Sequence, residues 1–229
     1  ALFVREGLTV LRDSVRTFRE LRWQEMPTAA VPLDSTTYQP WYSPDEWAEM
    51  RLSSKSHWDV PVRVSNGTVL HVLASHPTPP GFDGVARRNA RRNHDEIQFW
   101  VDYLSGAPYI EDDSGRAGGL PRDASFAVMG DLNADPEDPS AFRGAIRALI
   151  GHERVNGAVV PTASPARRGQ DTDLDPHDTS RWAARIDYVL PSATLSVQEA
   201  RVWRPASNAV PDVPVSDHFP VWIDVRTGP

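Results

Sequence analysis

Two β-rich segments separated by a tight turn restrict the fold of this chain more than any other feature. Residues His57–Val64 and Thr68–Ser75 are rich in β-branched and apolar residues, and Asn66-Gly67 lies between them. Asn-Gly favours the type I′ turn, whose twist matches that of two paired antiparallel strands. The sequence therefore predicts a β-hairpin at this point.

Helical and strand patterns alternate in the rest of the chain. A helix is predicted over about Arg87–Leu104, because Ala90, Ile97, Val101 and Leu104 recur at helical spacing. A second helix is predicted to open at Pro139-Ser140 and to end near Ile150. Strands are predicted at about Phe126–Met129, Arg185–Leu190, Leu195–Trp203 and Val221–Val225. This mixed order indicates sheets covered by helices, an α/β (α+β) fold.

The bulk composition indicates one soluble-type domain. The chain has 229 residues with 40% apolar and 24% charged residues, which are ordinary values for a globular protein. The proline-rich segments, about Met26–Asp45 and Pro161–Ser180, indicate long surface loops, since strand patterns resume after each. No apolar stretch is long enough for a membrane span, and the N-terminus lacks the pattern of a signal peptide.

Charge and cysteine content exclude several kinds of site. The chain has no cysteine, which rules out disulfides, thiolate metal sites and cysteine nucleophiles. With a net charge of −7, the chain lacks the strongly basic character that is typical of duplex-binding proteins. No Gly-x-Ser-x-Gly elbow occurs, which argues against an acyl hydrolase.

A carboxylate and an amide follow the predicted buried strand at Phe126–Met129. They belong to the segment Gly130-Asp131-Leu132-Asn133-Ala134-Asp135. If strand alternation continues, Asp131 and Asn133 lie on one side and reach the same ligand. The alternative is an Asx-rich turn without chemistry.

Two histidines and two further carboxylates lie near other predicted strands. Asp187 lies inside an apolar strand, where a charge is costly unless it is paired. It either pairs with Arg185 or orients a histidine elsewhere. His218, with Asp217 before it, precedes the last strand and supplies such a histidine. His76 follows the hairpin in Ala-Ser-His-Pro; a lone loop histidine is more often structural.

The ordered motifs Gly-Asp-Leu-Asn, Ile-Asp-Tyr-Val and Ser-Asp-His-Phe-Pro-Val resemble the endonuclease/exonuclease/phosphatase superfamily. The resemblance covers roughly Val69–Val225, and wider details are similar to a bacterial, often exported branch. It implies a four-layer α/β/β/α sandwich of two mixed sheets. It also implies that a metal-activated water hydrolyses a phosphoester. The substrate would be either a nucleic acid or a small phosphorylated molecule.

The resemblance also implies a role for each matching residue. Asp131 would orient or deprotonate the attacking water, and Asn133 would hold a phosphoryl oxygen. His218 would bind the phosphate or act as base, with Asp187 orienting it. His76 would protonate the leaving group or stabilise the phosphoryl oxygens. A divalent ion, Mg²⁺ first and Mn²⁺ or Ca²⁺ as alternatives, would be held by Asp217, Asp131 and Asn133, because these hard cations prefer oxygen ligands.

One departure from the family pattern concerns its main metal ligand. Relatives carry a metal-binding Glu on an early strand, with an Asn before it, and the chain has no counterpart to either. Ala1–Leu11 resembles the strand that follows the Glu strand. We therefore expect residues 1–229 to form a single domain that is N-terminally incomplete, or one that lacks the ligand. In the second case the chain would be a non-catalytic binding protein.

A polar and basic segment opens the predicted first long helix. Arg87, Arg88, Arg91 and Arg92 form either a solvated helix start or a site for a substrate phosphate. Cations are mildly unfavourable at a helix N-terminus, which argues against a purely passive role. Asn93 and His94 are expected to be buried polar residues that support the site. The weaker alternative is that they bind the ligand directly. We take four residues as candidate substrate-binding residues: Arg91, Arg92, Asn93 and His94. The protein is expected to be a monomer.

Overall fold

The computed structural model describes residues 1–81, 83–138, 142–163, 173–204 and 216–227. Three α-helices and two short 3-10 helices, Arg12–Ser14 and Trp23–Glu25, occur in these ranges. The α-helices are α1 (Pro44–Glu49), α2 (Arg88–Ser105) and α3 (Gly144–Ile150). The described strands are β1 (Thr9–Val10), β2 (Arg16–Thr17), β3 (His57–Arg63), β4 (Val69–Ser75), β5 (Ser125–Asp131), β6 (Asp187–Pro191), β7 (Ser196–Val202) and β8 (Val221–Arg226).

The predicted hairpin is confirmed and forms the centre of a six-stranded sheet. Strands β3 and β4 pair antiparallel from His57↔Ser75 to Arg63↔Val69. Gly67 has a φ of 88°, a turn conformation that favours glycine. The sheet continues through β5, parallel to β4, and β6, antiparallel to β5. Both β1 and β2 pair with β3 on its other side.

Helix α2 connects the parallel strands β4 and β5 and covers one face of the sheet. Its buried aromatic side chains Phe99, Trp100 and Tyr103 contact one another in the main core. Each such side chain contributes about 2–3 kcal/mol when it is fully buried. The predicted helix bounds are confirmed to within one residue. The Asp83 carboxylate accepts the backbone N–H groups of Asn89 and Ala90, and so caps a helix start that is rich in arginine.

Buried polar groups tie the sheet to this helix layer. The Tyr103 hydroxyl donates to Asp59 at 2.6 Å, and His71 Nδ1 lies 2.7 Å from the same carboxylate. Arg16 pairs with Asp112 at 2.7 Å, and both side chains are almost fully buried. Asp59, Arg16 and Asp112 therefore each have a polar or charged partner, which their buried location requires.

The opposite face of the six-stranded sheet carries a second apolar cluster. Val60, Val62 and Val72 form its buried part. A second sheet consists of β7 and β8, paired antiparallel with an irregularity between Val197 and Glu199. The two sheets and the helices form an α/β sandwich, the fold class that the sequence predicts. No helix in the described ranges is both long enough and apolar enough to cross a membrane.

Two local predictions differ from the structure or fall outside it, and one helix was not predicted. The strand expected at Ala1–Leu11 is limited to Thr9–Val10, because a turn at Gly7, with φ of 90°, precedes it. Helix α1 was not predicted, although its Ser43–Glu46 capping box is visible in the sequence. Pro139 and Ser140, the predicted start of the second helix, lie outside the described residues; α3 begins at Gly144.

Candidate active site

Strand topology brings the predicted residues to one edge of the larger sheet. Strands β4 and β5 are parallel, so their C-terminal ends, Ser75 and Asp131, lie at the same edge of the sheet. Strand β6 is antiparallel to β5 and begins there, with Asp187 directly opposite Asp131. His76 therefore comes from a strand end, and Asp187 from a strand start rather than a strand interior.

A glycine lets the two parallel strands approach closely just before Asp131. Gly130 has a φ of 147°, a conformation that L side chains rarely adopt. A Cβ atom at this position would overlap the backbone carbonyl of Ser75. Only glycine fits both the conformation and the space. The Gly-Asp dipeptide thus sets the distance between Asp131 and the residue after Ser75, which is His76.

Asp131 lies between two histidines. Its Oδ2 atom is 3.5 Å from His76 Nε2 and 3.9 Å from His218 Nε2. The Asp131 side chain is mostly buried, whereas half of the His76 side chain is exposed. This arrangement offers one carboxylate and two imidazoles to a common ligand at the rim of the sheet.

His218 and Asp187 are hydrogen-bonded, as the sequence predicts. His218 Nδ1 donates to Asp187 Oδ2 at 2.9 Å. The Thr179 hydroxyl accepts the backbone N–H groups of Ile186 and Asp187, and the Thr179 carbonyl accepts the N–H of Phe219. Thr179 thereby joins the start of β6 to the His218 segment and fixes the position of the pair. Nothing in the sequence around Thr179 indicates this role.

The pKa values of the two histidines are shifted in opposite directions. Burial lowers the pKa of His76, and the nearby Lys55 ammonium lowers it further. Burial would also lower the pKa of His218, but the hydrogen bond to Asp187 and the charges of Asp187 and Asp131 outweigh it, so its pKa is raised. Burial, together with the charge of Asp131, raises the pKa of Asp187 against the opposing bond from His218. Relative to free histidines, the shifts therefore favour the neutral form of His76 and the imidazolium form of His218.

Asn133 and Asp217 lie at the margin of this cluster. Asn133 has a φ of 51° and donates its backbone N–H to Asp131 Oδ1 at 2.9 Å, which is an Asx turn. Its side-chain amide donates to the Pro77 carbonyl at 3.1 Å. The expected strand alternation therefore stops at Asp131. Asp217 is largely exposed, with Oδ1 at 3.9 Å from His218 Nε2.

The four candidate substrate-binding residues on α2 are placed differently from one another. Asn93 is buried and donates to the carbonyls of Thr78 and Leu132, which is the polar support that the sequence predicts. His94 Nδ1 contacts its neighbour, the buried carboxylate of Asp95, at 2.8 Å. The Asn93 hydrogen bonds join the segments that follow His76 and Asp131.

The two arginines on α2 are engaged with the protein itself. Arg92 donates to the carbonyls of Arg51 and Leu52, so its guanidinium serves packing rather than the cluster. The Arg91 guanidinium lies 5.4 Å from the centre of the Phe142 ring. Neither guanidinium is hydrogen-bonded or ion-paired to His76, Asp131 or His218, and a role in substrate binding stays a prediction.

One group among the described residues could share a metal ion. Asp131, Asp187 and His218 each offer a ligand atom, and these atoms lie within 4.8 Å of one another. The donor set is rich in carboxylate oxygen, which suits a hard divalent cation. The group does not include Asp217. A divalent ion is thus compatible with this site. Asp131 is the one residue that this group shares with the metal ligands predicted from the sequence.

A cleft of about 780 Å³ opens beside the cluster. His76 and Asp131 are among the residues that line it, and Lys55 donates to the His76 carbonyl at 3.1 Å. Arg19 and Arg51 lie on its wall. The cleft thus offers positive charge to an anionic ligand next to the cluster.

Comparisons with known proteins agree with this architecture. The sequence matches the model of the endonuclease/exonuclease/phosphatase family over residues 1–218. A mannosyl-6-phosphatase from Bacteroides thetaiotaomicron has a TM-score of 0.53 at 13% identity, with 98% of this chain and 69% of that chain covered. A functionally unknown conserved protein from Enterococcus faecalis has a TM-score of 0.52 at 14% identity, with coverages of 97% and 68%. At these identities, the likeness shows the fold alone.

A third similar structure is much longer than this chain. An endonuclease/exonuclease/phosphatase from Beutenbergia cavernae has 20% identity and a TM-score of 0.48. The match covers 86% of this chain but 44% of that chain, so this chain spans less than half of its length. No curated protein matches the sequence.

Proposed function

This chain belongs to the endonuclease/exonuclease/phosphatase family, and from this premise we propose that it is a metal-dependent phosphoester hydrolase. The observation that supports this most is the meeting of His76, Asp131 and the Asp187–His218 pair at one edge of the sheet. Phosphoryl transfer requires positioning and neutralisation of charge more than covalent chemistry. The cluster provides groups for both.

The two histidines are suited to different tasks because their pKa values shift in opposite directions. His218, whose imidazolium form Asp187 stabilises, binds an anionic phosphoryl oxygen by a charge-assisted hydrogen bond. His76, kept neutral near pH 7, donates one N–H to another phosphoryl oxygen. Asp131, between the two rings, accepts a proton from the attacking water. Asn133 shapes the turn that holds Asp131 through its backbone N–H, and its amide faces Pro77.

We assign the metal ligands to Asp131 and Asp217. A metal bound by all of Asp131, Asp187 and His218 would have to compete with the Asp187–His218 hydrogen bond. Asp131 and Asp217 each have an oxygen 3.9 Å from His218 Nε2, on a part of the ring that this bond leaves free. When bound, the ion supplies an activated water and neutralises charge on the phosphate.

Two carboxylates make a weak site for Mg²⁺, which prefers six oxygen ligands and retains several waters. We propose that Asp131 and Asp217 alone hold a divalent ion weakly.

Several classes of phosphoester are compatible with such a site, including diesters and monoesters. The net charge of −7 argues mildly against a duplex nucleic acid, whose binding depends on neutralising many phosphates. We propose a monomer that acts on a substrate presenting one phosphoester group to the cluster.

The test uses the protein with its complete natural chain. It is assayed with Mg²⁺ or Mn²⁺ against DNA, RNA, bis-p-nitrophenyl phosphate and phosphomonoesters. We expect hydrolysis of at least one class, loss of activity with EDTA and recovery on addition of Mg²⁺ or Mn²⁺. Tight phosphate binding without turnover of any ester would contradict the proposal and favour a non-catalytic binding protein.

A further inference from the structure

The turn that carries Trp182 is firmly attached to the His218 segment. Ser180 and Ala184 pair across this turn, and the Thr179 N–H donates to the Ala184 carbonyl at 3.0 Å. The turn is also paired with the segment that contains His218, because Ser180 and His218 form a β-bridge. Backbone bonds of 2.9 and 2.7 Å, from Arg181 N to Asp217 O and from Phe219 N to Thr179 O, lie on either side of this bridge. The turn and the histidine therefore form one unit.

Trp182 is strongly exposed for its size. Its relative exposure is 62%, whereas Trp23 and Trp100 are fully buried in the core. An indole ring buries more apolar surface than most side chains, and an exposed one on a rigid turn is a ready contact surface for a ligand. The short turn limits how far the ring can move away from the site.

The Trp182 ring lies next to the imidazole that we assign to phosphate binding. The ring centres of Trp182 and His218 are 5.4 Å apart, and the planes are nearly perpendicular at 84°. A phosphoryl oxygen bound to His218 Nε2 would lie about 3 Å from that nitrogen. The organic group attached to the phosphate then lies within reach of the indole ring.

We propose that Trp182 is a specificity-determining residue that selects phosphoesters whose organic group has a flat aromatic face next to the phosphate. The inference rests on the proposed function, because it takes His218 as the phosphate-binding group. Aromatic rings bind planar partners by stacking or edge-to-face contact, whereas a small aliphatic group gains little from an indole face. The carboxylates of Asp187 and Asp217 disfavour a second anionic group at this end of the site.

Two phosphonates that cannot be hydrolysed at an ester bond test the inference by binding alone. Phenylphosphonate and methylphosphonate carry the same type of anionic group and differ in the presence of an aromatic ring. Dissociation constants are measured by calorimetry with Mg²⁺ for the complete natural chain and for Trp182→Ala and Trp182→Phe. The control is Trp203→Ala, since Trp203 is similarly exposed at 59% but lies after the end of β7.

We expect the wild type to bind phenylphosphonate about tenfold more tightly than methylphosphonate, within the range of aromatic stacking. Trp182→Ala should remove this preference while leaving methylphosphonate binding unchanged. Trp182→Phe should keep most of the preference, and Trp203→Ala should keep all of it. Equal or absent binding of the two ligands by the wild type, or a preference that survives in Trp182→Ala, would overturn the inference.

The same proteins are assayed for hydrolysis, so that the two proposals can fail separately. Turnover by the wild type together with an unchanged phosphonate preference in Trp182→Ala refutes only the role of Trp182. A selective loss of phenylphosphonate binding without turnover of any ester supports Trp182 as a ligand contact and refutes the hydrolase proposal.

Discussion

Replacement of Gly130 by alanine should damage both the fold and the site. The backbone at Gly130 has a φ of 147°, and forcing an L residue into such a region costs about 1–3 kcal/mol. The added Cβ would also overlap the Ser75 carbonyl. To restore an ordinary C···O contact of about 3.3 Å, β4 and β5 must separate by roughly 1 Å. We expect a total loss of about 3–4 kcal/mol in the free energy of unfolding, within the range for strained or overpacked sites.

The matched control is Gly67→Ala. Gly67 also has a positive φ, 88°, but a Cβ there would meet nothing within 4 Å. Only the conformational cost applies, about 1–2 kcal/mol. Both variants are unfolded with urea, and turnover of a phosphoester is measured under folding conditions.

The two variants should also differ in activity. Gly130→Ala shifts Asp131 relative to His76, and a displacement of about 1 Å can lower turnover roughly 100-fold. Gly67→Ala lies in the distant hairpin turn and should keep wild-type turnover. If Gly130→Ala is no less stable than Gly67→Ala and has wild-type activity, the close approach of β4 and β5 does not position the site.

Three further predictions concern the dyad, the buried ion pair and the metal. In Asp187→Asn, the pKa of His218 should fall, because the negative charge that stabilises the imidazolium is lost and its hydrogen bond is no longer charge-assisted. Activity that needs the imidazolium is present below this pKa and disappears as pH rises through it, so the loss should begin at lower pH. NMR titration of the histidines in EDTA and a pH–rate profile measure this, and an unchanged pKa would contradict it. Arg16→Leu should cost about 4 kcal/mol in urea unfolding by leaving the Asp112 carboxylate buried without this partner, whereas the exposed control Arg19→Leu should cost little. Finally, the 229-residue chain should bind Mg²⁺ weakly and turn over slowly, and EDTA should abolish this turnover until Mg²⁺ is restored. Full EDTA-resistant activity would refute the metal mechanism.

The parts of the fold that the sequence predicts are those governed by local rules. The Asn66-Gly67 turn and its flanking β-rich segments define the hairpin, because turn type and strand pattern agree. Helix α2 is predicted to within one residue from the spacing of its apolar side chains. The Asp187–His218 bond is predicted because a carboxylate in an apolar strand needs a partner.

The parts that the sequence does not reveal depend on contacts between distant segments. Asn133 was expected on the same side as Asp131, but its positive φ ends the strand, and the alternative of an Asx turn describes its backbone. The role of Thr179 arises only when β6 and the His218 segment meet. Trp182 likewise gains significance from its position beside His218, which no spacing along the chain indicates.

The most direct test of the central claim compares phosphoester turnover in Asp131→Asn and Asp123→Asn. Asp123 is exposed just before the start of β5, whereas Asp131 lies at its end between His76 and His218. Both variants remove one negative charge from the protein, so an effect of net charge alone should be similar in the two. With the complete chain and Mg²⁺, we predict that Asp131→Asn lowers turnover at least about 100-fold, the scale of general acid–base catalysis, and that Asp123→Asn matches the wild type. Wild-type turnover in Asp131→Asn would contradict the account.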